Sequence, residues 1–104
     1  MPTPHSMFFK MLSARTRVGI LKLLRKQDDL TVEDLAIELR VTVPTVSRHL
    51  QLLRMQNLVT FKQDAQTRYY EVNEKELAER IALFLRDMDI TLPVSYTHLT
   101  LPTN

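Results

Sequence analysis

Five side chains between residues 42 and 55 carry groups suited to one kind of chemistry: Pro44, Thr45, Ser47, Arg48 and Gln51. At helical spacing they share one side. Val43, Val46, Leu50 and Leu53 recur at intervals of three and four on the other side, as a buried stripe would. The polar set consists of short hydroxyls, an amide and a fork donor. A major groove admits a helix and offers base edges to such groups. Arg48 suits guanine or a phosphate, while Thr45, Ser47 and Gln51 suit bases or backbone. The same face would also serve as the solvated surface of a small helical domain. The elements around it decide between the two readings.

Thr31 to Val59 reads as two helices joined by a tight turn, TVEDLAIELRVTVPTVSRHLQLLRMQNLV. Thr31 is a suitable N-cap, and Asp34, three residues on, is its partner in a weaker form of the capping box. Glu33 and Asp34 lie where the helix dipole favours negative charge. Leu35, Ala36 and Leu39 supply the apolar side of this first helix. Arg40, Val41 and Thr42 form the turn. Thr42 then caps the second helix, and Pro44 falls in its first turn, where a missing N–H costs nothing. Gln56-Asn57 stops that helix, with Asn57 as a left-handed terminator.

Leu58–Lys62 and Arg68–Val72 are β-branched or aromatic and predict two strands, with Gln63–Thr67 as the loop between them. So short a pair must pack on the helices. Lys62 and Arg68 flank the loop, within reach of a phosphate backbone beside the groove. Phe61, Tyr69 and Tyr70 suit packing under the hairpin better than stacking on bases.

Residues 1–6 hold two prolines and no periodicity, and are expected to be a flexible end. Met7, Phe8, Met11 and Leu12 predict a short first helix, followed by Ser13 as a possible cap. Val18, Ile20, Leu21, Leu23 and Leu24 predict a second, from about Ala14 to Lys26. Gly19, the chain's one glycine, lies inside it at a cost of about 1 kcal/mol against alanine; close approach of another backbone is one explanation. Leu30 suits a hydrophobic staple before Thr31. Asn73 caps a last helix from about Glu74 to Asp89, with Leu77, Ile81, Phe84, Leu85 and Met88 on one wide apolar face. That face either covers the domain's own core or pairs with a second subunit, through the same helix or the Met7–Met11 helix. The limited core of so small a chain favours pairing. Residues 90–104 carry no charge and no helical period. VSYTHLTLPTN resembles translated adapter sequence, so the segment is read as non-native or extended, and its His98 as a bystander.

Composition bounds the function. A chain of 104 residues predicts one domain, here residues 7–89, with no room for a deep enzyme cleft beside its scaffold. The absence of cysteine excludes disulfides, thiolate metal sites and thiol redox sensing. No apolar run approaches a membrane span, and MPTPHSMFFK lacks the pattern of a secretory signal; the expectation is a cytoplasmic protein without a membrane partner. The net charge is only +2, but its distribution is uneven. Residues 10–26 hold Lys10, Arg15, Arg17, Lys22, Arg25 and Lys26 without an acid, and 27–39 hold five acids without a base. Residues 40–68 set Arg40, Arg48, Arg54, Lys62 and Arg68 against Asp64 alone. No phosphate loop or paired-acid site is found. Ser47 and His49, two apart on a helix, face different directions and make no nucleophile–base pair. The chain is read as no enzyme, with no cofactor.

Helix, helix, helix-turn-helix, hairpin, helix is a winged helix-turn-helix order: mainly α, five helices plus a two-stranded wing. At residue level the chain resembles the ArsR family of bacterial and archaeal repressors. The resemblance is carried by Phe9-Lys10-Met11-Leu12-Ser13, Thr16-Arg17, Ile20-Leu21, Leu35-Ala36, Thr45-Val46-Ser47-Arg48-His49-Leu50, Leu52-Leu53, Leu58-Val59 and Tyr69-Tyr70. It implies a homodimer joined by the first and last helices, here Met7, Phe8, Met11, Leu77, Ile81, Phe84, Leu85 and Met88. It also implies binding to an imperfect palindromic operator in double-stranded DNA. The implied contacts are Thr42, Pro44, Thr45, Ser47, Arg48 and Gln51 from the second motif helix, and Lys62 and Arg68 from the wing.

The chain departs from the family's metal sensors. Its first motif helix reads Val32-Glu33-Asp34-Leu35-Ala36, with no Cys-x-Cys pair. Its last helix has Asp87 and Asp89 but no histidine at ligand spacing. Oxygen ligands alone make a poor soft-metal site. His5 in the N-terminal end and His49 bordering the core offer no alternative. No metal site is expected, and the inducer is left unknown. The competing reading is a winged-helix protein–protein interaction module without DNA binding; the basic bias of the outer helix face argues against it.

Overall fold

The computed structural model describes residues 4–93. Within them lie α1 (Pro4–Leu12), α2 (Arg15–Lys26), α3 (Val32–Leu39), α4 (Val43–Met55), β1 (Val59–Asp64), β2 (Thr67–Val72) and α5 (Glu74–Asp87). This is the winged helix-turn-helix order expected from the sequence. The strands pair antiparallel, with Val59 opposite Val72 and Asp64 opposite Thr67. Leu30, just before α3, adds a bridge to the hairpin: its carbonyl accepts from the Tyr70 N–H at 2.8 Å.

The core is one cluster to which every element except α5 contributes buried side chains. It contains Phe8 and Met11 from α1, Ile20, Leu21 and Leu24 from α2, and Leu35 and Ala36 from α3. Val46, Leu50 and Leu53 of α4 join them, with Leu58, Val59 and Tyr70 from the wing. From α5, only Leu77 and Ile81 pack against this cluster, both partly buried.

The helix starts follow their capping residues. At α3 the full capping box forms: Asp34 N–H donates to Thr31 Oγ1 at 3.1 Å, and Thr31 N–H donates to Asp34 Oδ2 at 3.0 Å. Asn73 caps α5 by accepting from Glu76 N–H at 3.3 Å. At α2 the N-cap is Ala14, with no side-chain cap. Ser13 instead donates its hydroxyl to the Lys10 carbonyl at 2.7 Å, closing the end of α1.

The helix ends were less visible in the sequence. Three of them close with a left-handed residue and the paired backbone bonds of a Schellman turn. After α3 the residue is Arg40, with Val41 N–H bonded to Ala36 O; after α4 it is Asn57, with Leu58 N–H bonded to Leu53 O. After α5 it is Asp89, with Ile90 N–H bonded to Leu85 O. The Ile90 N–H therefore closes the turn that ends α5.

Several expectations are corrected. Helix α1 begins at Pro4, so His5 and Ser6 are helical rather than part of a loose end. A proline in the first turn starts a helix as well as it interrupts one. Residues 1–3 and 94–104, including His98, lie outside the described residues. Phe8 and Met11, expected at a subunit interface, are in the chain's own core at 0% and 5% exposure. Beneath the short α1, the inward side takes all their surface. Val43 stands 37% exposed at the start of α4, one turn before the stripe reaches the core. The wing is longer than expected: its strands run to Asp64 and from Thr67, leaving only Ala65-Gln66 as the turn. Ala65 takes a φ of 57°, a conformation its residue type does not advertise. Finally, Gly19 faces a side chain and not a backbone: a Cβ there would lie 2.8 Å from Leu39 Cδ2.

Candidate nucleic-acid interface

Helix α4 presents the face read from the sequence. Val46, Leu50 and Leu53 are fully inside, while Pro44, Ser47, Arg48 and Gln51 are exposed together on the other side. Thr45 is half-buried, and its hydroxyl accepts from Thr42 Oγ1 at 2.9 Å. The same Thr42 oxygen accepts from the Thr45 N–H at 3.4 Å, holding the first turn of α4. Ser47, Arg48 and Gln51 make no side-chain hydrogen bond or ion pair among the described residues, so their polar groups are open to a ligand.

The periodicity of this face continues further than the five residues first singled out. Arg54 lies three positions after Gln51 and seven after Ser47, and Met55 lies seven after Arg48. Both are exposed, Met55 at 71%. The spacing alone locates them.

In the wing, the two basic residues differ. Lys62 lies 3.7 Å from Glu71 Oε2 across the strand pair. Arg68 has no carboxylate partner among the described residues; its guanidinium lies over the Phe61 ring at 4.4 Å. The Arg54 guanidinium lies over the same ring at 4.5 Å. Phe61 is partly buried against the core and tilted on Tyr70 at 5.6 Å.

Three further residues fasten α4 and its C-terminal turn in place. Arg17 of α2 donates to the Met11 carbonyl at 2.9 Å and the Lys10 carbonyl at 3.2 Å, while its Nη1 lies 3.2 Å from His49 Nδ1. A cation on the last carbonyls of α1 also suits that helix's dipole. Burial holds the His49 pKa below its ordinary 6.5, and the charges of Arg17 and Arg48 add to that effect. Neutral His49 can therefore accept a hydrogen bond from Arg17 at Nδ1. At the other end, Arg80 of α5 donates to the Gln56 carbonyl at 3.3 Å and Gln56 Oε1 at 3.1 Å. Asn73 Nδ2 donates to the Asn57 carbonyl at 3.0 Å.

The predicted α1–α5 surface is split by the fold. Met7, Leu77, Ile81, Phe84 and Leu85 are half-buried, and Met88 is exposed. Phe9, absent from the expected set, is exposed and edge-on to Phe84 at 4.8 Å. His5 Nε2 lies 2.6 Å from Asp87 Oδ2, tying the start of α1 to the end of α5. Among the described residues no three of His, Asp or Glu form a metal-binding group, and no helix is long and apolar enough to cross a membrane.

Fold and surface together define a regulator of transcription with a winged helix-turn-helix DNA-binding domain. The chain belongs to the arsR family of bacterial regulatory proteins, whose family model matches residues 15–60. It is 34% identical over 73 residues to the transcriptional repressor SdpR of Bacillus subtilis, covering 70% of this chain and 80% of that one. It is 37% identical over 65 residues to the arsenical resistance operon repressor of Escherichia coli, covering 62% of this chain but only 56% of that protein. Among solved structures, it superposes with a TM-score of 0.65 on the homodimeric winged helix-turn-helix DNA-binding domain of Mb0332 from Mycobacterium bovis. That match is 27% identical and covers 83% of this chain and 79% of the other. The family consists of transcriptional regulators and not enzymes.

Proposed function

We propose that the protein is a homodimeric transcriptional repressor. It binds an imperfect palindromic operator in double-stranded DNA through the 43–55 helix and the 59–72 wing. The observation that carries this reading is the division of α4. One side buries Val46, Leu50 and Leu53 in the core, and the other holds Ser47, Arg48 and Gln51 exposed, with no side-chain partner among the described residues. Arg48, Ser47, Thr45 and Gln51 read base edges, with Pro44 setting the entry of the helix. Thr42, Lys62 and Arg68 meet the phosphate backbone. The second subunit packs on Met7, Phe9, Leu77, Ile81, Phe84, Leu85 and Met88. Two relatives are named as repressors, and a structural neighbour is described as homodimeric, which supports both parts of the reading. In such a dimer the two recognition helices enter successive major grooves about 34–36 Å apart.

Selection from a random-sequence duplex pool, followed by footprinting, tests the proposal. Enriched sites should be inverted repeats with half-site centres about one helical turn apart. A single non-repeated site would overturn the dimer arrangement. Salt-independent or absent binding would favour the interaction-module reading instead. Repression itself is checked by transcription in vitro from a promoter overlapping the selected site, which should fall as protein is added.

A further inference from the structure

The Phe61 ring carries two guanidinium groups, Arg54 of α4 at 4.5 Å and Arg68 of β2 at 4.4 Å. We infer that Phe61 is a positioning residue, a plate that holds Arg54 and Arg68 together as a clamp for DNA backbone phosphates. This rests on the DNA-binding reading and deepens it.

Three observations carry the inference. The first is what holds the arginines. A surface cation is commonly held by a carboxylate, as Lys62 is by Glu71 at 3.7 Å, and the carboxylate then competes with a phosphate for it. Arg54 and Arg68 have no such partner among the described residues. A guanidinium held over a ring face is attracted by the ring and not by an acceptor, so N–H donors remain for the fork geometry that fits phosphate. The ring therefore orders both groups without cancelling their charge.

The second is the placement of the plate. Phe61 sits on β1, partly buried against the core and braced on Tyr70, so it does not swing with solvent. Arg68 stands diagonally across the hairpin from it, since Phe61 pairs with Tyr70 and Gln63 with Arg68. Arg54 continues the Ser47–Gln51 row of the recognition helix. One ring thus joins the end of the base-reading face to the wing.

The third is electrostatic. Two like charges on one ring repel each other, an arrangement relieved when an anion enters between or beside them. Neighbouring phosphates of one strand supply that anion, and an ordered pair loses less freedom on binding than two free arginines.

The test is fluorescence anisotropy with a labelled mixed-sequence duplex across a salt series, since backbone contacts need no particular operator. Phe61→Leu should weaken binding about tenfold and flatten the log–log salt slope by about one to two. Phe61→Tyr should keep both. In an Arg54→Ala/Arg68→Ala background, Phe61→Leu should add nothing. A folded Phe61→Leu protein with the wild-type slope would overturn the clamp. Should that variant fail to fold, the exposed single variants Arg54→Ala and Arg68→Ala decide: each should flatten the slope, and unchanged slopes in both overturn the proposal. A shallow slope in the wild-type protein would instead remove the DNA reading on which the clamp rests.

Discussion

Single side chains on α4 divide by what they touch, and the division sets different expectations for each. Arg48 is exposed beside Ser47 and Gln51, with no ion-pair partner among the described residues. Arg48→Ala is expected to cost about 1–3 kcal/mol of operator binding and to relax specificity at one base position, measured by binding to single-position operator variants. Lys62, 3.7 Å from Glu71 Oε2, is assigned to backbone phosphates in the proposed complex. Lys62→Ala should weaken all sequences alike and reduce the salt slope by about 1. His49 has a role inside the protein. Its folded pKa lies below 6.5, chiefly through burial and then through Arg17 and Arg48. Between that lowered value and 6.5 the unfolded chain binds more protons than the folded one. Stability is therefore complete above 6.5 and falls as pH drops through that window. His49→Gln keeps an acceptor for Arg17 but does not titrate. Urea melts from about pH 7.5 to 5.5 should show a smaller loss for this variant than for the wild type. Equal losses would place the pH sensitivity elsewhere.

The elements themselves were legible where the chain announces them with residue type. Thr31, Thr42 and Asn73 stand before periodic apolar runs, and each caps the helix expected of it. The alternating aromatic and β-branched strands gave the wing. Stops were harder to see, because this chain has one glycine and spends it on a close approach to Leu39. Arg40 and Asp89 adopt left-handed conformations that glycine usually takes; nothing in the type of Arg40 signals it, and Asp89 belongs to a type that only tolerates it. The turn at Ala65 is hidden for the same reason, so the sequence pattern ends the first strand two residues early and starts the second one residue late. The arginine–phenylalanine cluster was out of reach, since it joins a helix end to a strand and only the tertiary fold brings them together. Of the caps, Thr31 contributes two reciprocal bonds, while the Thr42 oxygen accepts from a backbone N–H at a longer 3.4 Å. Thr31→Ala should cost about 1 kcal/mol of stability and Thr42→Ala less, read from chemical denaturation midpoints at constant slope. A larger loss at Thr42 would mean its bond to the Thr45 hydroxyl matters more than the caps.

At the scale of the whole molecule, α5 is the element whose position needs explaining. It is apolar along one face, yet it places no fully buried residue in the core. Asn73 and Arg80 anchor it to the end of α4, and His5–Asp87 ties it to α1, so its orientation is fixed while its surface stays open. Phe9, Met88 and Ile90 extend that surface, at 40%, 55% and 49% exposure. An apolar stripe held rigidly beside a recognition helix suits association with a second copy, because a rigid α4–α5 link turns the dimer geometry into a spacing of reading heads. A stable interface needs about 800 Å² from each partner, more than these three side chains supply, so the half-buried Ile81, Phe84 and Leu85 must contribute. Binding of a partner only in the folded state makes stability rise with protein concentration. The wild-type melting temperature should accordingly climb on raising the concentration tenfold. Met88→Glu, at an exposed site outside the monomer's core, should abolish that dependence and sediment as a monomer. Its operator affinity should also fall steeply, since each half-site must then be held alone. A variant that remained dimeric would move the interface off the end of α5. A monomeric variant with full affinity would show that one reading head suffices.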